Sequence, residues 1–182
     1  MFLMKRTMLY FILRFAGVPL WVARLLLLAM MLVGFGVGSV WAQTIDGRVV
    51  GIADGDTINV LDASNQHYRI RLKGIDAPEK HQAFGNVSRQ ALAGMLSGRK
   101  VHVRADATDR YGRVLGVILV DGREVNLEML RLGLAWHYKA YARDQNPQER
   151  LAYAAAEEEA RAAHRGLWRD PSPMPPWEFR RN

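Results

Sequence analysis

From Ile45 onward, apolar and polar residues alternate in short runs separated by Gly, Asp and Asn, a strand rhythm rather than a helical one. Ile45 to Ala53 reads as a first strand broken at Asp54-Gly55, and Thr57 to Leu61 as a second, with Asp62-Ala63-Ser64-Asn65 as a polar hairpin loop. In the third strand Tyr68, Ile70 and Leu72 alternate with Arg69, Arg71 and Lys73. Side chains alternate faces along a strand, so one face is apolar and the other carries three cations. Lys100 to Ala105 and Val114 to Val120 are two further strands, the latter apolar enough to be central. Gly85 to Ser97 switches to helical spacing, with Ala91, Leu92, Met95 and Leu96 on one side and Gly98 as its stop. Val125 to Leu132 reads as a short helix stopped by Gly133. The last helix has Asn146 at its N-cap, Pro147 in its first turn and Gly166 just past its end. Beyond Asp170 the segment 171–182, with Pro171, Pro173, Pro175 and Pro176, reads as an irregular tail. The pattern alone predicts an α+β chain with a small antiparallel sheet or barrel. Five short strands interrupted by one helix and followed by others, about three helices in all, suit a Greek-key barrel, of which the OB-fold is the common case.

Residues 1–42 follow a different pattern. Lys5, Arg6, Arg14 and Arg24 are their only charges, and Leu25 to Ala42 carries none. A basic flank, an apolar core and the small residue Ala42 before Gln43 form the layout of a secretory signal peptide. Cleavage near Ala42 would release a periplasmic or secreted protein. Retention would leave a membrane anchor, although the uncharged stretch is barely long enough to span a bilayer and Gly34, Gly36 and Gly38 weaken it as a helix. The segment is therefore expected to engage the export machinery and, if kept, the membrane.

All 18 acidic residues and all but four of the 25 Lys and Arg lie beyond this segment, which leaves the remainder at +3. That mild excess is compatible with an anionic substrate without demonstrating one. The chain has no cysteine, which excludes thiol catalysis and Cys-ligated zinc and makes the domain depend on its packed core alone. The five histidines have no ligand spacing.

Three segments carry chemistry: Asp54-Gly55-Asp56-Thr57, Arg71-Leu72-Lys73-Gly74-Ile75-Asp76-Ala77-Pro78-Glu79, and Asp109-Arg110-Tyr111-Gly112-Arg113. Each has an ordinary structural explanation, since Asp-Gly is a common turn pair and Arg71 lies on a cationic strand face. Taken together they place hard oxygen ligands, Asp56, Asp76 and Glu79, near two arginines. Calcium accepts such oxygen-rich coordination, and guanidinium forks bind phosphate oxygens bidentately. Metal-assisted cleavage of a phosphodiester needs that combination.

In residue type, order and local spacing, these segments closely resemble the staphylococcal nuclease family, from about Ile45 to Trp168. The resemblance implies the OB-fold barrel and a Ca²⁺-dependent endonuclease acting on DNA and RNA, with products ending in 3′-phosphate. It implies Asp56 and Asp76 as direct Ca²⁺ ligands and Ala77 as a backbone-carbonyl ligand where the family often has threonine, with Asp54 behind them. It also implies Arg71 and Arg113 as phosphate-stabilising catalytic residues, Glu79 as general base or water-orienting group, and Tyr111 and Tyr141 as nucleotide contacts. Lys139 stands where the family has a further tyrosine, with Trp136 and Tyr138 nearby. A monomer is expected. The competing reading is a non-catalytic nucleic-acid-binding barrel, which typically lacks this acidic and arginine set. A membrane-tethered domain for a protein partner rests on the N-terminal segment alone.

Overall fold

The computed structural model describes residues 43–181. The chain runs β1 (Gln43–Ile52), β2 (Thr57–Asp62), β3 (His67–Leu72), β4 (Ile75–Asp76), α1 (Gly85–Leu96), β5 (Lys100–Thr108) and β6 (Val114–Val120). It continues through β7 (Arg123–Glu124), α2 (Val125–Arg131), β8 (Trp136–His137), α3 (Pro147–Ala162) and α4 (Pro176–Phe179), with 3-10 turns at Lys139–Asp144 and Gly166–Arg169. The signal-peptide or anchor reading falls on residues outside this range. Among the described residues no helix is long and apolar enough to cross a membrane.

Strands β3-β2-β1-β5-β6 are antiparallel neighbours in that order, and β3 then pairs with β6 in parallel to close a five-stranded barrel. The α+β, OB-type architecture expected from the element order is the one found. Strand β1 serves two partners, pairing through Gln43 to Arg48 with β5 and through Gly47 to Ile52 with β2. A register shift between Val49 and Gly51 bends it from one to the other. Two-residue periodicity fills the interior: Val101, Val103 and Ala105 are buried while Lys100, His102 and Arg104 are exposed. With Ile58, Ile70, Leu72 and Ile118 they form a core that also takes Leu92 and Leu96 from α1, Met129 and Leu130 from α2, and Tyr153 from α3.

Three expectations need correction. Helix α3 does start at Asn146, whose side chain accepts from the Glu149 amide, but it ends at Ala162, with His164 in the left-handed region. Gly166 instead opens a 3-10 turn where the chain passes so close to Gly133 that a Cβ would lie 2.2 Å from its carbonyl oxygen. The alanine-rich segment Ala152 to Ala163 with Glu157, Glu158 and Glu159 reads by sequence as a solvated helix, but Glu157 is buried: it accepts from the His137 amide at 2.9 Å and pairs with Lys139 at 2.7 Å. The segment beyond Asp170 is not irregular throughout. It forms α4, whose Trp177 stacks on Tyr138 at 5.6 Å and meets Trp136 edge-on at 5.6 Å. A second, smaller apolar cluster of Trp136, Ala160, Leu167 and Trp168 lies there. Each such aromatic pair contributes about 0.5–1.5 kcal/mol beyond simple burial.

Candidate active site

The loops carrying the acidic residues rest on α1 through two glycines. At Gly55 a Cβ would fall 2.0 Å from the Ser88 hydroxyl and 2.7 Å from the Ala77 methyl. At Gly85, the first residue of α1, it would fall 1.9 Å from the Glu79 carbonyl oxygen. Only a residue without a side chain fits at either position. Asp54 turns the first loop by accepting from the Asp56 amide at 3.0 Å. Gln82 steadies the second, its side-chain oxygen accepting from the Glu79 amide at 3.0 Å.

Between these loops lie two buried carboxylates. Asp56 is 3 % exposed and Asp76 fully buried. The Arg71 guanidinium forks between them, with Nη1 2.7 Å from Asp56 Oδ1 and Nη2 2.8 Å from Asp76 Oδ1. Asp56 also accepts from the Thr57 hydroxyl and, through Oδ2, from the Ala77 amide at 3.0 Å. Burial raises the Asp56 carboxyl above the ordinary carboxylate value and the nearby Asp54 adds to this, while Arg71 opposes it. Burial would lower the Arg71 guanidinium, but Asp56 and Asp76 hold it above its usual value. The arginine is permanently charged.

Arg113 reaches the same cleft from the start of β6. The Asp109 carboxylate holds it from the side, with Nε at 2.8 Å and Nη2 at 2.7 Å from Oδ2, while Asp109 Oδ1 accepts from the Tyr111 and Arg113 amides. This ion pair fixes the plane of the fork. Parallel pairing of β3 with β6 sets Ile70 beside Val114 and Arg71 beside Leu115, so barrel closure brings the two arginine-bearing segments together.

One cleft of about 990 Å³ is lined by Asp54, Asp56, Arg71, Ala77, Glu79 and Arg113, together with Tyr111 and Tyr141. Asp76 lies in its floor, bonded to Arg71. The site residues expected from the sequence thus meet here, Asp76 bonded beneath the lining and the others within it. Tyr111 and Tyr141 are both largely exposed, and the guanidiniums of Arg110 and Arg113 lie 4.9 and 5.5 Å from the Tyr111 ring centre. Tyr138 supplies a cleft wall, whereas Lys139 is turned to Glu157.

Arg180 is the residue that sequence reasoning missed. It follows α4 and enters the site, with Nη2 2.7 Å from Asp76 Oδ2 and Nη1 2.6 Å from Glu79 Oε1. Its bonds to Asp76 and Glu79 raise its guanidinium above the usual value, against burial. A tryptophan inside a proline-rich segment, followed by Arg180 and Arg181, was the available signal, because tryptophan seldom stands free in water.

The donor set suits a hard divalent cation. Asp54, Asp56, Asp76 and Glu79 bring four carboxylates to the cleft and its floor, and Arg71 and Arg180 are the guanidiniums bonded among them. A guanidinium already stands between Asp76 and Glu79, so that position accepts positive charge. Among the described residues no three His, Asp or Glu side chains converge at ligand distance, and arginine forks lie between Asp56 and Asp76 and between Asp76 and Glu79.

A closed β-barrel with buried carboxylates and two arginine forks facing one polar cleft defines a protein of the nuclease-barrel class. The profile of staphylococcal nuclease homologues matches residues 69–170, and the chain belongs to that family. It is 46 % identical over 150 residues to Protein ParB of Escherichia coli, covering 78 % of this chain and 81 % of the relative. It is 41 % identical over 134 residues to an uncharacterized endonuclease of Haemophilus influenzae, covering 74 % and 72 % respectively. With the micrococcal nuclease of Shigella flexneri it shares 41 % identity over 150 residues, covering 78 % and 83 %.

Proposed function

We propose that this chain, a nuclease by family, is an exported, Ca²⁺-dependent endonuclease that hydrolyses phosphodiesters of DNA and RNA and leaves 3′-phosphate ends. The observation that carries this reading is the convergence of Asp56, Asp76 and Glu79 with the Arg71 and Arg113 forks at one cleft. Asp56, Asp76 and the Ala77 carbonyl would hold the cation, with Asp54 behind them. Bound there, Ca²⁺ supplies a Lewis acid that polarises the phosphate and makes water more acidic.

The chain's own residues do the rest. Arg71 and Arg113 present planar donors to the non-bridging oxygens, where charge grows as phosphorus becomes five-coordinate. Asp109 keeps the Arg113 fork in plane, so little reorganisation is needed when the phosphate arrives. Glu79 accepts a hydrogen bond from the attacking water and orients it or takes its proton. The exposed rings of Tyr111 and Tyr141 offer stacking faces tolerant of base identity, each worth about 1–3 kcal/mol per base.

The test is cleavage of single-stranded DNA and RNA with Ca²⁺ and then with excess chelator. Asp56→Ala should abolish activity with the fold intact. Arg113→Lys keeps the charge but loses the fork, so turnover should fall about 100- to 1,000-fold while oligonucleotide affinity at fixed salt changes far less. Undiminished cleavage in chelator would refute the calcium requirement. An equal loss of affinity and turnover in Arg113→Lys would make that residue a ground-state anchor. Export is tested separately: N-terminal sequencing of protein from the producing cell should begin at Gln43, whereas a membrane-bound product retaining Leu25 to Ala42 would make it an anchored nuclease.

A further inference from the structure

Asp76 is enclosed by guanidiniums. Arg71 takes Oδ1 at 2.8 Å, and Arg180 takes Oδ2 at 2.7 Å while Nη1 lies 3.3 Å from Oδ1. Arg180 also holds Glu79 Oε1 at 2.6 Å. The two arginines differ in how they are mounted. Arg71 lies within a barrel strand and is mostly buried, its side chain 15 % exposed. Arg180 follows a one-turn helix near the end of the chain, and its side chain is 40 % exposed.

The tail that delivers Arg180 is docked by few contacts. Trp177 lies against Tyr138 and Trp136, and Gln82 donates to the Met174 carbonyl at 2.6 Å. Gln82 is also the residue that accepts from the Glu79 amide, so the tail and the Glu79 loop share one support. A group on such a tether meets its carboxylates at high effective concentration yet leaves them without unfolding the barrel.

A divalent cation on Asp76 would need a carboxylate oxygen at about 2.3–2.6 Å. At Oδ2 it would stand beside the guanidinium that now holds that oxygen, with the full repulsion of two cations in a partly buried place. The cation and Arg180 therefore exclude one another at this oxygen. We propose that Arg180 is a tethered competitor for the cation site, so that the C-terminal tail sets how much divalent cation the protein needs before Asp76 and Glu79 are released for the reaction. This inference rests on the reading that Asp76 belongs to a cation site.

Calorimetric titration of the full chain with Ca²⁺ tests it. Arg180→Gln removes the competing charge, and Trp177→Ala loosens the docking while keeping Arg180. Both should bind Ca²⁺ more tightly than the unsubstituted chain, by up to about fivefold, the upper end of the range expected for losing one partly exposed ion pair. Thermal unfolding gives a second readout independent of turnover: the rise in Tm from chelator to saturating Ca²⁺ should be larger in Arg180→Gln. Calcium binding that is unchanged or weaker in Arg180→Gln would overturn the competition alone, leaving Arg180 as a clamp that holds the carboxylates together. No calcium binding by either chain would overturn both this inference and the cation site beneath it.

Discussion

Asp109 holds an arginine that the proposed reaction uses, without itself entering the chemistry. Its carboxylate accepts from two backbone amides and grips the Arg113 guanidinium on one edge, leaving the remainder of the fork to the cleft. Asp109→Asn should therefore lower turnover by up to about 100-fold, the cost of misplacing a catalytic group by about an ångström. The same bonds act on stability. Partial burial would raise the Asp109 carboxyl, but the Arg113 amide and guanidinium and the Tyr111 amide outweigh it and hold it below its ordinary value of 3.8. A depressed carboxyl stabilises the fold above its unfolded value and loses that contribution as pH falls through the folded one. The stability gap between the unsubstituted chain and Asp109→Asn should thus narrow as pH falls from the ordinary value of 3.8 through the lower folded one. Denaturant midpoints measured across that range decide it, and a gap independent of pH would exclude the linkage.

At the scale of elements, the site depends on loops seated on α1 more than on the strands alone. Gly55→Ala would press a methyl group onto Ser88, whose hydroxyl is already committed to the Leu134 carbonyl, and onto Ala77. Overpacking of this kind costs about 1–3 kcal/mol, and the displaced loop carries Asp54 and Asp56. Equilibrium unfolding and calcium titration of Gly55→Ala should both register the change; full stability with full calcium affinity would show the contact to be soft. These contacts also mark what the sequence can and cannot disclose. Alternation at Tyr68 to Lys73 and the apolar run Val114 to Val120 announce strands, and Asn146-Pro147 announces a helix start, because those signals are local. The acidic and arginine set was legible because its residue types match one chemistry. The pairing of Glu157 with Lys139, the Gly133–Gly166 approach and the arrival of Arg180 at Asp76 were not. Each joins residues far apart in the chain whose local sequence has an ordinary surface explanation.

At the scale of the molecule, the decisive joint is the parallel seam between β3 and β6, the pairing that turns an antiparallel sheet into a barrel. It joins Ile70 to Val114 across α1 and β5, so its closure entropy must be met before its contacts are gained. Arg71 and Arg113 flank that seam on its two sides. Refolding from denaturant should therefore regain helical and strand signals before nuclease activity, with activity appearing in the slowest phase; activity that led the spectroscopic recovery would contradict this. The consequence is one of timing. On the proposed mechanism, a newly made or partly unfolded chain would carry all the side chains of the site and yet be inert, because the segments bearing Arg71 and Arg113 come together only when the barrel is shut. A protein able to cut the nucleic acid of the cell that makes it is, on this account, harmless until its last seam closes.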